Sequence, residues 1–594
     1  MTAYHHLHIP LIIINHLRFN VFIDRIFSDD IIKKKASERR ITMKKLLCVI
    51  LSLVLIMSTL VMSVSAADNV YYIDSVNGSD TNSGKSADSA WQTVENLRNV
   101  KLSAGDSVLF KCGGVYTSDC LTLTCSGTKE NPITVSSYGE GEKPLLTTAK
   151  KIEVLRLADC SYVTVSDIEI TAHNGGGIWI YTHNAESNGI VLDNLTIHDI
   201  QNYKVTNRDS QANPTAARAC VMVKHLGYPA TELYPVNNMT VTNCEMYDCG
   251  NGFMLWGSFT SDSNSPWDEN DKDDVSIIYN QNVLVSDCYF HDMDAEGMII
   301  GMTENALVTQ SRFINCCQGE GKTEDGNAMY YTAPVWFWGG LNSTVEHCEI
   351  AGARNFGDGM ACDFDSWTNY CTYQYIYSHD NTRFVCCCPY GTGQHGNTIR
   401  YCLSVNDNVG RNSLSGTAGE YGLKFYNNTI VNASGFTLNC AYGGYFVNNI
   451  ITGDCSCDFY WTRKNVDDAT GEKVVHEFNG VFENNCLWGT CIPTVAKNTY
   501  ICNPRFAGDD ETNPESFRLA EKSRLIGKGL YNEDGLKTDF FGDEITSNNI
   551  GCYGGSGTEK APAQIFKSIY KFINTLVGFL VQTVADLSNR YWLF

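Results

Sequence analysis

The chain has 594 residues, with 44 Lys and Arg against 66 Asp and Glu and a formal charge of −22. A surface this acidic argues against nucleic acid and anionic lipid as partners, because neither is attracted by a negative field. The 25 cysteines show no paired CxxC spacing of the kind that builds zinc sites. That leaves two readings open, buried small apolar side chains stacked between repeats or a disulfide framework.

In chain order, residues 1–42 carry neither a globular pattern nor targeting logic and are read as upstream of the mature protein, with Met43 as the start. The rival is a long leader or a first membrane anchor. Residues 43–66, "MKKLLCVILSLVLIMSTLVMSVSA", have a basic start, an apolar run and small residues at the end. This is the signature of a secretory signal peptide, cleaved after Ala66 or Ala67, and it predicts a secreted, extracellular or cell-surface protein.

From about residue 160 one short pattern recurs: "VSDIEITAH" (165–173), "VLDNLTIHD" (191–199), "TVTNCEMYD" (240–248), "LVSDCYFHD" (284–292), "TVEHCEIAG" (344–352), "TYQYIYSHD" (372–380) and "FYNNTIVNA" (425–433). β-Branched residues alternate with polar ones, and Asn or Asp stands at the corners. A second strand keeps step with it: "GIWIY" (177–181), "GFMLW" (252–256), "GMIIG" (297–301), "PVWFW" (334–338), "GMACD" (359–363), "RFVCC" (383–387) and "GFTLN" (435–439). Self-similarity at this period predicts a solenoid, and strands without any helical-repeat signature predict an all-β, parallel β-helix spanning 68–555 as one domain.

Residues 71–97, "YYIDSVNGSDTNSGKSADSAWQTVENL", followed by "AGDSVLFKCGGVY" (104–116), resemble the opening of secreted right-handed parallel β-helix proteins of the pectate-lyase-like superfamily. The tail segments 503–529 and 539–555 resemble their closing coils. The resemblance implies a short capping helix at the N-terminal end and a carbohydrate-active protein. It specifies the fold more than the chemistry, since one scaffold hosts many activities.

Counting each second-segment strand from its first residue places Ile178/Ile180, Phe253/Leu255, Met298/Ile300, Val335/Phe337, Met360/Cys362 and Phe384/Cys386 toward the core. The outward set is then Trp179/Tyr181, Met254/Trp256, Ile299/Gly301, Trp336/Trp338, Ala361/Asp363 and Val385/Cys387, with Asp365 beside Asp363. Two carboxylates would stand next to a row of exposed rings, covered either by inserted loops such as 258–281 and 316–331 or by a sugar chain. Trp179, Tyr181, Trp256, Trp336, Trp338 and Arg383 are the expected substrate contacts.

A glycoside hydrolase needs one carboxylic acid to protonate the leaving oxygen and a second carboxylate as base or nucleophile. Asp363, Asp365, Asp358 and Glu296 are the candidates, with His379 and Asp380 from the "SHDN" stretch added by the resemblance. His198-Asp199 and His291-Asp292 occupy the same corner, however, so a structural turn ladder explains His379-Asp380 equally. The alternatives are a polysaccharide lyase using Ca²⁺ with Lys224, Arg383 or Arg411 as base, and a non-catalytic glycan-binding surface protein. A polysaccharide is the expected partner in each case, and no resident metal or cofactor is required for hydrolysis.

After a linker at 556–564, Ile565, Ile569, Phe572, Leu576, Leu580, Val584 and Leu587 recur at helical spacing. They predict an amphipathic helix over 565–594, packed back on the solenoid or lying at a membrane interface.

Overall fold

The computed structural model describes residues 69–559 except 174, 201–218, 226–232, 261–275, 319–331, 355–357, 389–393, 408–413, 417–419, 435, 439–443, 454–456, 459–479 and 531–534. The leader, Arg411 and the C-terminal amphipathic segment lie outside the described residues, as does most of the 316–331 insertion.

The described chain winds through three long parallel sheets of fourteen, twelve and thirteen strands. Each coil adds one strand to each sheet, so neighbours in a sheet are a coil apart in sequence: Leu192 pairs with Val241, Val241 with Val285, and Val285 with Val308. Parallel strands need crossovers, and here the other two sheets are the crossover, which is how a single coil satisfies every backbone group. Inside, like stacks on like. Val308, Val345, Tyr373, Ile399, Phe425, Phe446 and Phe482 form one continuous column of the fourteen-stranded sheet, all at most 3% exposed.

The corners explain the Asn and Asp of the repeat. Asp199, Asp248, Asp292, Asn315 and Asp380 all turn with φ near 50°, as do Asn194, Asn243, Asn427, Asn448 and Asn484. A sharp corner needs the left-handed backbone conformation, which Asn and Asp tolerate better than other residues with a side chain. The slot after the second set of corners faces inward. In the later coils it holds Asn428, Asn449 and Asn485, whose side chains run as a ladder: Asn428 Nδ2 donates to Asn449 Oδ1 at 3.1 Å and Asn449 Nδ2 to Asn485 Oδ1 at 2.9 Å.

In the middle coils the same slot holds Cys244, Cys288, Cys348 and Cys402, buried and directed at backbone carbonyls. The described thiols are overwhelmingly free and most are buried, with Cys491 in a disulfide. Stacked apolar fillers therefore account for the cysteines better than a framework of crosslinks.

At the N-terminal end, where a short capping helix was expected, the described residues form no α-helix. Two 3₁₀ turns, Ala87–Ser89 and Glu95–Asn99, stand there instead, and Trp91, Val94, Leu97 and Leu102 join the interior cluster.

Candidate active site on the twelve-stranded sheet

The outer face of the twelve-stranded sheet gathers the tryptophans and acids singled out from the sequence. Register places Ile299 beside Trp336 and Gly301 beside Trp338, and Phe337 beside Phe364. Asp363 and Asp365, flanking the buried Phe364, therefore continue the two outward rows that carry Trp336 and Trp338. Trp256 lies three coils before Asp365, yet its ring reaches Trp338 with centroids 5.0 Å apart and planes at 87°. Gly301 between them leaves the room: a Cβ there would come within 2.8 Å of the Trp256 ring.

Strict alternation does not hold through the acidic strand, and this corrects two assignments. Met360 packs with the outer tryptophan cluster, while Ala361, Cys362 and Phe364 all join the interior. On the next coil Phe384 and Val385 both point inward and Cys386 points out. Two successive inward residues amount to a bulge, repeated on consecutive coils so that ladder pairs such as Met360 with Arg383 and Asp363 with Cys386 survive. The bulge allows Met360, Asp363 and Asp365 to share one face. From within, the Tyr373 hydroxyl sits 3.0 and 3.1 Å from the carbonyl oxygens of Val335 and Asp363, and Gln394 Nε2 donates to the Phe364 carbonyl at 3.1 Å. Just after the strand, Trp367 is held at φ 61°, an uncommon conformation for so bulky a residue.

The aromatic face is not exposed. Trp336 and Trp338 are only 8% and 7% exposed, and Trp179 and Trp256 are half-buried. Part of the cover is visible: the strands Ser258–Thr260 and Ser276–Ile278 pair antiparallel at the end of the Trp256 strand, and Ile277 packs on the tryptophan cluster together with Met302 and Trp367. The 258–281 insertion thus walls this face, as a shielded row of rings requires.

Four acids meet here. Asp363 is 5% and Glu296 1% exposed, while Asp358 and Asp365 keep partial exposure. Burial, then the neighbouring Cys386 and Asp365, push the Asp358 carboxyl up to about 8 despite the opposing Arg383. Burial and the charge of Asp365 push Asp363 well above the carboxylate range, and burial with Cys386 does the same to Asp365. The Asp363 Oδ1 atom has no hydrogen-bond partner, nor has the buried indole nitrogen of Trp336. Carboxyls crowded out of water in this way ionise less readily than free ones, the condition a general acid requires. Among the described residues, no three His, Cys, Asp or Glu side chains are arranged to hold a metal ion, so the visible donor set does not fit Ca²⁺.

His379 and Asp380 are placed elsewhere. His379 lies on the thirteen-stranded sheet, with Nδ1 2.8 Å from Asp380 and Nε2 3.2 Å from Glu349. His198 repeats the arrangement with Asp199 and Glu169, and His291 with Asp292 and Glu245. The rings of His198, Tyr247 and His291 stack at 4.9 Å. This is a coil-to-coil ladder, and it separates His379 and Asp380 from the four acids. Cys386, beside Asp363, was missed because alternation assigned it inward; the run of three cysteines was the available signal that the strand breaks pattern.

A family model described as "Right handed beta helix region" matches residues 155–319 and 233–375. A lacto-N-biosidase of Bifidobacterium longum subsp. longum is 22% identical over 454 residues, covering 62% of this chain and 27% of that protein. The chain thus spans about a quarter of that curated relative. A crystal structure of a GH136 lacto-N-biosidase from Eubacterium ramulus matches with TM-score 0.47 and 19% identity, over 73% of this chain and 68% of that one. A pectate lyase structure matches with TM-score 0.37 and 12% identity, over 82% and 96%. The right-handed parallel β-helix is the fold of this chain.

Proposed function

We propose that the protein is a secreted glycoside hydrolase whose carboxyls on the outer face of the twelve-stranded sheet cleave a glycan lying along the tryptophan row. The observation that carries this is the convergence of Asp358, Asp363 and Asp365, desolvated and mutually repelling, at the end of that row. The sequence likeness to a lacto-N-biosidase supports a carbohydrate-active enzyme of the hydrolase class, and the leader-like residues 43–66 support export.

Asp358 and Asp365 are the pair that meets the sugar, because both keep contact with solvent while Asp363 is nearly sealed. One acts as the general acid, its proton retained by burial; the other serves as base or nucleophile. Asp363 sits between them in sequence and is itself raised by burial and by the charges of Asp365 and Asp358. Trp336, Trp338 and Trp256 supply flat apolar faces for the C–H faces of the sugar, and Arg383 offers the one positive charge that acts on both Asp358 and Asp363. The test is product analysis on a panel of neutral and charged oligosaccharides. New reducing ends without an unsaturated, ultraviolet-absorbing product, lost in Asp365→Asn and Asp358→Asn, support hydrolysis; an unsaturated product would replace it with lyase chemistry, and binding without turnover with a lectin-like role.

A further inference from the structure

Four coils before the acids, the row that ends at Asp365 carries a lysine. Tyr181 pairs in register with Lys224, Val223 with Leu255, Trp256 with Gly301 and Gly301 with Trp338. Lys224 therefore stands between Tyr181 and Trp256, about 19 Å from Asp365 at the usual spacing of strands in a sheet. Its neighbours Val221 and Val223 are interior and Met222 packs with the outer cluster, so the lysine shares the outer face with the tryptophans. It is only partly exposed. Among the described residues it makes no ion pair or hydrogen bond, and burial alone pushes its ammonium down to about 8.

The contrast with Arg156 on the same sheet is direct. Arg156, two coils earlier, is ion-paired with the buried Glu153 and lies 5.7 Å from the Tyr181 ring. Half-burying a lysine without an acid costs stability unless something offsets it. In a chain with a net charge of −22, acids to pair with it are plentiful, and among the described residues none is placed there.

We propose that Lys224, framed by the Tyr181 and Trp256 rings, is a remote anionic subsite that binds a negatively charged substituent on the glycan several sugar residues from the point of cleavage. The substrate class is then an acidic oligosaccharide, bearing a carboxylate or a sulfate, bound along the coil axis. This assignment rests on the hydrolase reading for the direction of the glycan, but its binding step does not require turnover.

The experiment uses the mature protein carrying Asp365→Asn, so that binding is read without cleavage, and follows tryptophan fluorescence with three oligosaccharides of equal length: neutral, uronate-terminated and sulfated. The anionic ligands should bind about tenfold more tightly than the neutral one, the strength of one charge-assisted hydrogen bond. Lys224→Met should erase that preference and leave neutral binding unchanged, while Lys224→Arg should retain most of it. Comparison of the two anionic arms tells carboxylate from sulfate. Equal binding of all three ligands, no binding of any, or a preference that survives Lys224→Met would overturn the proposal. A hydrolase failure is read separately, as retained binding with no product from the wild type.

Discussion

The outer faces of the twelve- and thirteen-stranded sheets are built from the same coils, yet they treat acids in opposite ways. On the thirteen-stranded sheet the strand glutamates Glu169, Glu245 and Glu349 each find a histidine; Glu349 takes Arg312 at 2.7 Å as well as His379 at 3.2 Å, and its carboxyl is held below the usual range by those donors. On the twelve-stranded sheet burial raises Asp358, Asp363 and Asp365, the charge of Asp365 adds to the rise of the other two, and among the described residues Asp363 Oδ1 has no hydrogen-bond partner. Even the core offers more to an acid. Interior Asp407, though 1% exposed, receives Ser404 Oγ at 2.6 Å and the Asn381 amide at 2.9 Å, and rises only to about 6. A solenoid can satisfy a buried acid by repeating donors from coil to coil. Where it leaves acids unsatisfied, the deficit marks a site at which something other than stability is being maintained.

The sharpest way to break this comparison is to neutralise the acids. Asp365→Asn or Asp358→Asn should lower kcat on oligosaccharide by about a thousandfold, the range expected when a general acid or its partner is lost. Stability should move the other way. Asp358 has a folded value above its unfolded one, so wild-type stability falls as pH climbs from the ordinary carboxylate range to about 8. Asp358→Asn lacks that fall and should melt above wild type at pH 8 while matching it near pH 4. Calorimetry at the two pH values checks this.

Next in size is the residue between the acids. Phe364 is wholly buried and stacks on Phe337 at 5.9 Å, so Phe364→Ala should cost about 3–5 kcal/mol in denaturant unfolding. A neutral result would mean that the strand presents the opposite face.

The smallest effect belongs to the satisfied ladder. His379→Gln should leave kcat and KM as they are and cost at most about 1 kcal/mol. Glu349 and Asp380 raise the His379 value in the folded state, so its contribution is complete at pH 5 and fades as pH rises through that value. Loss of activity in this variant would move the site to the other sheet.

The repeat made much of this readable in advance. Periodic β-branched runs with Asn or Asp at the corners announced the coils, because the corner conformation restricts which residues can sit there. The outward direction of Asp363, Asp365, Trp336 and Trp338 was readable from alternation, but that of Met360 and Cys386 was not, since in a run of apolar residues the bulge shows only through the three consecutive cysteines. Cover of the tryptophans by the 258–281 insertion was one of the two readings the sequence left open, and Ile277, which lies outside the repeat, is the residue of that insertion that packs on them. The His-Asp corner showed its structural character through recurrence at 198, 291 and 379, which a catalytic dyad has no reason to share.

The most direct measurement of the central claim is a carbon-13 NMR titration of protein labelled at its aspartate carboxyls. The account predicts a carboxyl signal still largely protonated at pH 7, titrating near 8 and absent from Asp358→Asn. If every aspartate in the wild type is fully ionised at pH 7, the crowded acids hold no proton to donate and the proposed chemistry fails.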